Sequence, residues 1–382
     1  MTAKTQQNNL PFSGITIIAL EQAVAAPLCT SRLAAGGARV IKIERSGGDF
    51  ARNYDAAAKG ESSYFVWINQ GKESLELDLK DADDQALLMR IIAKSDVLIQ
   101  NLAPGATERL GFGSDDMRQK FPSLITCDIS GYGEAGSYAK MKAYDFLVQC
   151  ETGLVSISGA PEAPGRVGVS VCDIGAGMNA LIGIQQALFA RERNGQGSGV
   201  KVSLFDTLAD WMMVPAIHEQ YGSGAPQPAG MCHPSIAPYG GFNSAEGETI
   251  AISIQNEREW LNLCKNVLND ASLASDIRFN TNNNRVKNRD LLDRLLQSYF
   301  EKHSTDELCE KLLSARIAFG KVNGVDGLLN HPQLRTQEVK LHNGETIDLI
   351  APPVQSTIVG DEETPYVPKS GEHNDALRSE FS

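Results

Sequence analysis

The sequence predicts a doubly wound α/β fold. Three observations carry the prediction: strand-length apolar runs recur through the first half, helical stretches separate them, and the runs are continuous enough for strands buried in a parallel sheet. Ile15–Leu20 is the first strand, Pro27–Ala35 a helix and Ala38–Glu44 the second strand, which together make a βαβ unit. Further strands are expected at Ser74–Leu79, Asp96–Gln100 and Leu124–Ser130, with a helix at Asp83–Lys94. After Gly131 the pattern gives a helix at Ala143–Ser156, a Gly/Pro-rich loop at Gly159–Gly168, and a Gly-, Ala-, Leu- and Ile-rich helix from near Asp173 to Arg193. A turn at Asn194–Gly199 and a strand at Val200–Phe205 follow.

The dense Gly and Pro residues between Gly222 and Pro238 mark a linker into a second domain, with a strand at Thr249–Ile254 and helices at Arg258–Val267, Arg289–Glu301 and Thr305–Ser314. Short strands and turns are expected from Gln333 onward. A chain of 382 residues is long for one hydrophobic core, which agrees with two domains.

Composition narrows the function. Hydrophobic residues make up 42% and charged residues 21%, a globular balance, and the formal charge of -12 argues against nucleic-acid or acidic-membrane binding. An anionic ligand would therefore need a local basic pocket. Residues 1–9 are polar and lack the apolar core of a secretory signal, and the chain has no run of about 18 apolar residues that would span a membrane. Seven widely spaced cysteines without a Cys-x-x-Cys pair read as reduced thiols of a cytoplasmic protein.

Glu44 at the end of the second strand invites a dinucleotide site, but the turn after the first strand, Glu21 to Pro27, has no glycines to admit a pyrophosphate. No P-loop, zinc-protease or nucleophile-elbow motif is present, and the histidines lack ligand spacing, so no metal is expected. His233 and His373 stand in loops, where a structural role is the default.

Asp173 lies in Val171-Cys172-Asp173-Ile174-Gly175-Ala176-Gly177, at the start of a helix. It reads either as an N-cap or as a carboxylate nucleophile with amides nearby for an oxyanion. Arg45, Lys80 and Arg109 fall near strand ends, where an open sheet binds ligands; each alone reads as surface charge.

At these residues the chain resembles the class III CoA-transferases, the family of formyl-CoA transferase, carnitine CoA-transferase and α-methylacyl-CoA racemase. The markers run in order through Ala26-Pro27, Val40 to Arg45, Gly48-Asp49, Asn69, Gly71-Lys72, Leu75 to Lys80, Pro104-Gly105, Arg109 to Gly111, Gly131 to Gly133, Tyr144-Asp145, the Asp173 helix, Pro238 to Gly240 and Gly371 to His373. The stretches Gly60–Ser74 and His233–Gly240 look most similar to members acting on short dicarboxylates such as succinate, mesaconate, itaconate or citramalate. The long glycine loop of formyl-CoA transferase is not evident, which argues against oxalate.

That resemblance implies an interlocked homodimer. Each subunit would have a Rossmann-like large domain from residues 1–221, a smaller α+β domain with its linker at 222–325, and a C-terminal segment, 326–382, returning to the large domain. Coenzyme A thioesters would be substrates, with no permanently bound cofactor. Contacts to CoA would come from Gln22, Ala23, Arg45, Leu77, Lys80, Asn101, Leu102, Ala106, Arg109 and Lys142.

Asp173 matches the catalytic aspartate, which would be acylated and then converted to an enzyme-bound CoA thioester. Tyr144, Tyr239, Gly240 and Gly241 would be substrate or lid residues, Tyr239 to Gly241 as a mobile lid, and Gly175 and Gly177 would let acyl-CoA approach closely. Tyr144 stands where the racemase branch carries a histidine, which favours transfer over racemisation because a phenol of pKa about 10 is a poor base near neutrality. An intramolecular mesaconyl-CoA-type transferase remains an alternative, as does a non-catalytic acyl-CoA-binding protein. Arg52 or Arg166 would suit a distal substrate carboxylate.

Overall fold

The computed structural model describes residues 10–358 and 364–382, so the polar lead at residues 1–9 lies outside the described residues. The described residues divide into two compact units: 10–154, 167–214, 335–358 and 364–382 form the first, and 155–166 with 215–334 form the second.

A six-stranded parallel sheet organises the first unit, in the order Lys72–Glu76, Arg39–Glu44, Thr16–Leu20, Val97–Gln100, Ile125–Ser130 and Gly199–Ser203. The order reverses direction between Thr16–Leu20 and Val97–Gln100, which sets a crevice at the carboxyl ends of those strands. Successive residues of the first strand serve opposite faces. Ile17 and Ala19 pack with Cys29, Leu33, Ala176, Ala180 and Ile184, whereas Ile18 and Leu20 pack with Ile41, Leu75, Leu88 and Ile92. This double burial explains the unbroken apolar runs.

Several boundaries differ from the sequence-based expectation for local reasons. The third strand begins two residues early, at Lys72, because Lys72 turns inward to a buried carboxylate, and it ends before the turn capped by Asp81. The helix expected at Ala143–Ser156 splits into Asp145–Glu151 and Leu154–Ile157 around Gly153, whose φ is 80°. The strand expected to reach Phe205 stops at Ser203, whose hydroxyl accepts from the Asp206 amide at 2.9 Å and starts the helix Leu204–Trp211. The expected loop at 159–168 contains a two-residue hairpin, and Gly159 accepts from the Gly230 amide within the second unit.

Residues near the C-terminus complete the first unit. The Ser74 amide donates to His373 Nδ1, the Glu76 amide donates to Asn374 Oδ1, and Leu377 and Phe381 enter the core under the sheet. A small sheet of Thr336–Leu341, Thr346–Ile350 and Tyr366–Val367 packs on Phe65 and Val66.

The second unit holds an antiparallel sheet of Ala318–Lys321, Thr249–Ser253 and Tyr239–Asn243. Its core is built on Trp260, Phe279, Leu292, Leu296, Phe300 and Leu308. Buried Arg285 donates to the Ala237 carbonyl and to Glu257. All seven cysteines are unpaired, and among the described residues no helix is long and apolar enough to cross a membrane.

Candidate active site

A cleft of about 450 Å³ opens at the carboxyl ends of the first three strands in the sequence. Gln22, Arg45, Leu77, Lys80 and Leu102 line it, together with Phe50 and Leu110. Arg45 and Lys80 are exposed cations, while Leu77 is buried and supplies an apolar wall. Ala23 follows the lining turn, with a left-handed φ of 60°. Asn101 uses its amide differently from a ligand contact: Oδ1 accepts from the Gln22 amide at 2.9 Å and Nδ2 donates to the Gln22 carbonyl at 2.8 Å. Ala106 opens a short helix ending at Arg109, whose guanidinium donates to the Pro104 carbonyl at 3.4 Å, and Lys142 is exposed; none of these three lines the cleft.

Beneath the cleft lies a buried ionic cluster that sequence reading missed. Lys72 donates to Glu21 at 2.6 Å, Lys42 donates to Asp49 at 2.9 Å, and Arg52 grips Glu44 with two nitrogens at 2.9 and 2.7 Å. Burial of the ammonium, only partly offset by Glu21, lowers Lys72 to about 8. Burial alone would raise the Glu44 carboxyl, but the Arg52 hydrogen bonds and the neighbouring Lys42 outweigh it and hold it down to about 2. Arg52 also stacks on Phe65, 3.7 Å from the ring centre. It is therefore committed inside the fold and does not serve a distal substrate carboxylate.

Asp173 sits in the first turn of a helix that runs from Val171 to Asn194. The N-cap is Ser170, so the capping alternative for Asp173 does not hold. Its carboxyl is half-buried and pushed up to about 7, by loss of water and then by the negative charge of Asp145. Asp145 itself is buried and accepts from the Cys172 amide at 2.8 Å and from Gln149 at 2.7 Å. It is a hydrogen-bonding anchor.

Tyr144, the residue before it, is 67% exposed and precedes the helix Asp145–Glu151. A second tyrosine, Tyr54, interacts electrostatically with Asp173 and Tyr144, and burial with nearby negative charge raises its phenol to about 12. Tyr54 packs edge-on against Tyr64, with ring centres 5.4 Å apart, and against Phe50 of the cleft at 5.7 Å. No spacing or motif pointed to it.

The glycines after Asp173 serve packing. A Cβ on Gly177 would lie 2.5 Å from the Ala25 carbonyl oxygen, and one on Gly175 would lie 2.8 Å from Thr207 Cγ2. They let the Asp173 helix approach its neighbours, which replaces the expected role in admitting acyl-CoA.

Tyr239, Gly240 and Gly241 belong to a paired strand, opposite Ser253, Ile252 and Ala251. Tyr239 also stacks on His233, with ring centres 5.3 Å apart. That pairing does not fit the mobile lid expected there.

The description of CoA-transferase family III matches residues 12–374. The chain belongs to that family. It is an enzyme that transfers coenzyme A. Among its relatives is the acetyl-CoA:oxalate CoA-transferase of Acetobacter aceti, 34% identical over 376 residues, covering 97% of this chain and 96% of the relative. The succinate–glutarate CoA-transferase of Agrobacterium fabrum is 30% identical, covering 97% and 96%. A solved CaiB/BaiF family protein from Brucella suis superposes with a TM-score of 0.85 at 30% identity, covering 98% of this chain and all of that one.

Proposed function

We propose that this family III enzyme moves CoA between small dicarboxylic acids by successive acylation of Asp173. The observation that carries the reading is the Asp173 carboxyl itself: half-buried at the start of its helix and raised to about 7 by burial and by Asp145. A carboxylate so placed is ionised at neutral to alkaline pH and poorly solvated, which favours attack on a thioester.

In the first step an Asp173 oxygen bonds to the donor acyl carbon, the carbon–sulfur bond breaks, and CoA leaves as thiolate. The thiolate then attacks the aspartyl carbonyl of the anhydride, forming an Asp173–CoA thioester and releasing the donor carboxylate. The acceptor carboxylate displaces the thiolate to form a second anhydride, and the thiolate takes the acceptor acyl group, which restores Asp173. Every step exchanges one activated acyl bond for another, so the cycle balances without an oxidant or nucleotide. Tyr54, held protonated, can donate a hydrogen bond to an oxyanion or substrate carboxylate beside Asp173.

Arg45 and Lys80 would meet the phosphates of CoA, with Gln22, Ala23, Leu77 and Leu102 along its length. Ala106, Arg109 and Lys142 would meet parts of CoA that extend beyond the cleft lining, while Asn101 would act by holding the Gln22 backbone. The dicarboxylate preference is supported by the relatives named for succinate, glutarate and mesaconate. The relative named for oxalate returns that acid to consideration despite the missing glycine loop.

Self-association as a homodimer is supported by Met178, Ile182 and Phe189, exposed by 48 to 62% along one helix, with Trp211 and Met213 similarly exposed nearby in sequence. A cytoplasmic setting agrees with the seven free thiols.

The deciding experiment incubates the protein with succinyl-CoA and a panel of acids that includes oxalate, glutarate, mesaconate, itaconate and citramalate, with new thioesters read by mass spectrometry. Hydroxylamine added during turnover should mark the peptide containing Asp173. An active enzyme whose Asp173 peptide stays unmodified would end the covalent reading, and transfer only to monocarboxylates would end the dicarboxylate reading.

A further inference from the structure

Three carboxylates and three cations lie together under the cleft. Glu21, Glu44 and Asp49 face Lys42, Lys72 and Arg52, and among their side chains the largest exposure is 12%, at Arg52. Six charges in the interior are a poor device for stability alone, since apolar side chains of similar volume often do as well. Their hydrogen bonds indicate another use. Asp49 Oδ2 takes Lys42, while Oδ1 accepts from the Ala23 amide at 3.2 Å and the Ala51 amide at 2.9 Å. The Asp49 amide in turn donates to Glu44 Oε2 at 2.8 Å.

One carboxylate thus joins Ala23, the residue after the cleft-lining Glu21–Gln22 turn, to the cleft-lining loop at 45–50. Ala23 lacks the freedom of glycine, and its φ of 60° needs an outside hold. Asn101 grips the preceding residue through both the oxygen and the nitrogen of its side-chain amide.

We infer that Asp49 is a positioning residue for the acyl-CoA cleft: it fixes the Ala23 amide and thereby the shape of the turn on which CoA lies. The inference rests on the cleft being the CoA site. Its consequence falls on binding of the CoA ester more than on the chemistry at Asp173.

The test compares two proteins in a Lys42→Met background, which removes the buried charge that Asp49 answers. Asp49→Asn keeps an acceptor for the Ala23 amide, and Asp49→Ala does not. Calorimetric binding of free CoA, the KM for succinyl-CoA, kcat and the melting temperature are measured for both.

The expected result is CoA binding and KM at least tenfold better in the asparagine protein, with kcat differing less than threefold and melting temperatures within a few degrees. Equal Kd and KM in the two proteins would overturn the inference. Arg45→Ala serves as the separate control: if it leaves CoA binding unchanged, the cleft assignment fails, whereas weakened binding there beside equal asparagine and alanine proteins faults Asp49 alone. Should the alanine protein not fold, Asp49→Leu in the same background, which keeps the side-chain volume without an acceptor, takes its place, and amide exchange of peptide 21–25 is compared with the asparagine protein. Acceleration of at least tenfold over the asparagine protein supports the hold, and an equal rate overturns it.

Discussion

Asp145 Oδ1 accepts a hydrogen bond from the backbone amide of Cys172 at 2.8 Å, one residue before Asp173, and its charge adds to the burial that raises the Asp173 carboxyl to about 7. The same carboxylate seats the nucleophile's helix and tunes the nucleophile. A group with a raised pKa is protonated, and so unreactive, below that value. We predict an acid limb near pH 7 in kcat/KM measured from pH 5 to 9, displaced to lower pH in Asp145→Asn. A limb that stays in place would remove Asp145 from this role.

Stability should respond in the opposite sense to activity. The folded carboxyl of Asp173 titrates near 7 and an unfolded one near about 3.9, so the folded state binds this proton more tightly. Ionisation therefore lowers stability progressively between those values, and the loss is complete above the folded pKa. Asp173→Asn should melt higher than the unsubstituted enzyme at pH 8, with the advantage shrinking toward pH 4, while turnover falls by about 10³-fold or more. A lower melting temperature at pH 8 contradicts this.

Gly177→Ala should destabilise the first unit by about 1–3 kcal/mol, because its Cβ meets the backbone carbonyl of Ala25 at 2.5 Å and neither helix can yield cheaply. Gly175→Ala should have a smaller effect, since the nearest atoms belong to the side chains of Thr207 and Trp211. Urea midpoints with unchanged m-values check the order.

Arg45→Ala and Lys80→Ala should each raise the KM for an acyl-CoA by about five- to tenfold with little change in kcat, and the difference should shrink as salt rises. Arg109→Ala should raise it less, because that guanidinium lies outside the cleft lining and is turned to the Pro104 carbonyl. Steady-state kinetics at low and high ionic strength separate the three.

Where a residue's environment repeats along the chain, the sequence disclosed it. The strands Thr16–Leu20 and Val97–Gln100 were legible because both of their faces are apolar, and Asp173 stood out beside small residues at a helix start. Features made by long-range partners were hidden. Lys72 is indistinguishable from a surface lysine until Glu21, 51 positions away, is folded against it. Tyr54 reaches the electrostatic field of Asp173 only through the tertiary fold, and the glycines at 175 and 177 announced closeness without saying to what. The helix Leu204–Trp211 was missed although Ser203 and Asp206 form a readable start signal, because the β-branched run before it extended the strand pattern too far.

Arg39 and Glu380 are bonded across 341 positions, and the whole second unit is made between them. A ribosome therefore releases the inserted unit while the older sheet still lacks its last supports, and loop closure over such a span slows assembly far more than it changes final stability. During that interval the nascent sheet exposes apolar surface around Leu75 and Leu88 that Leu377 and Phe381 later help to bury, so the yield of active enzyme should depend on chaperone supply and synthesis rate.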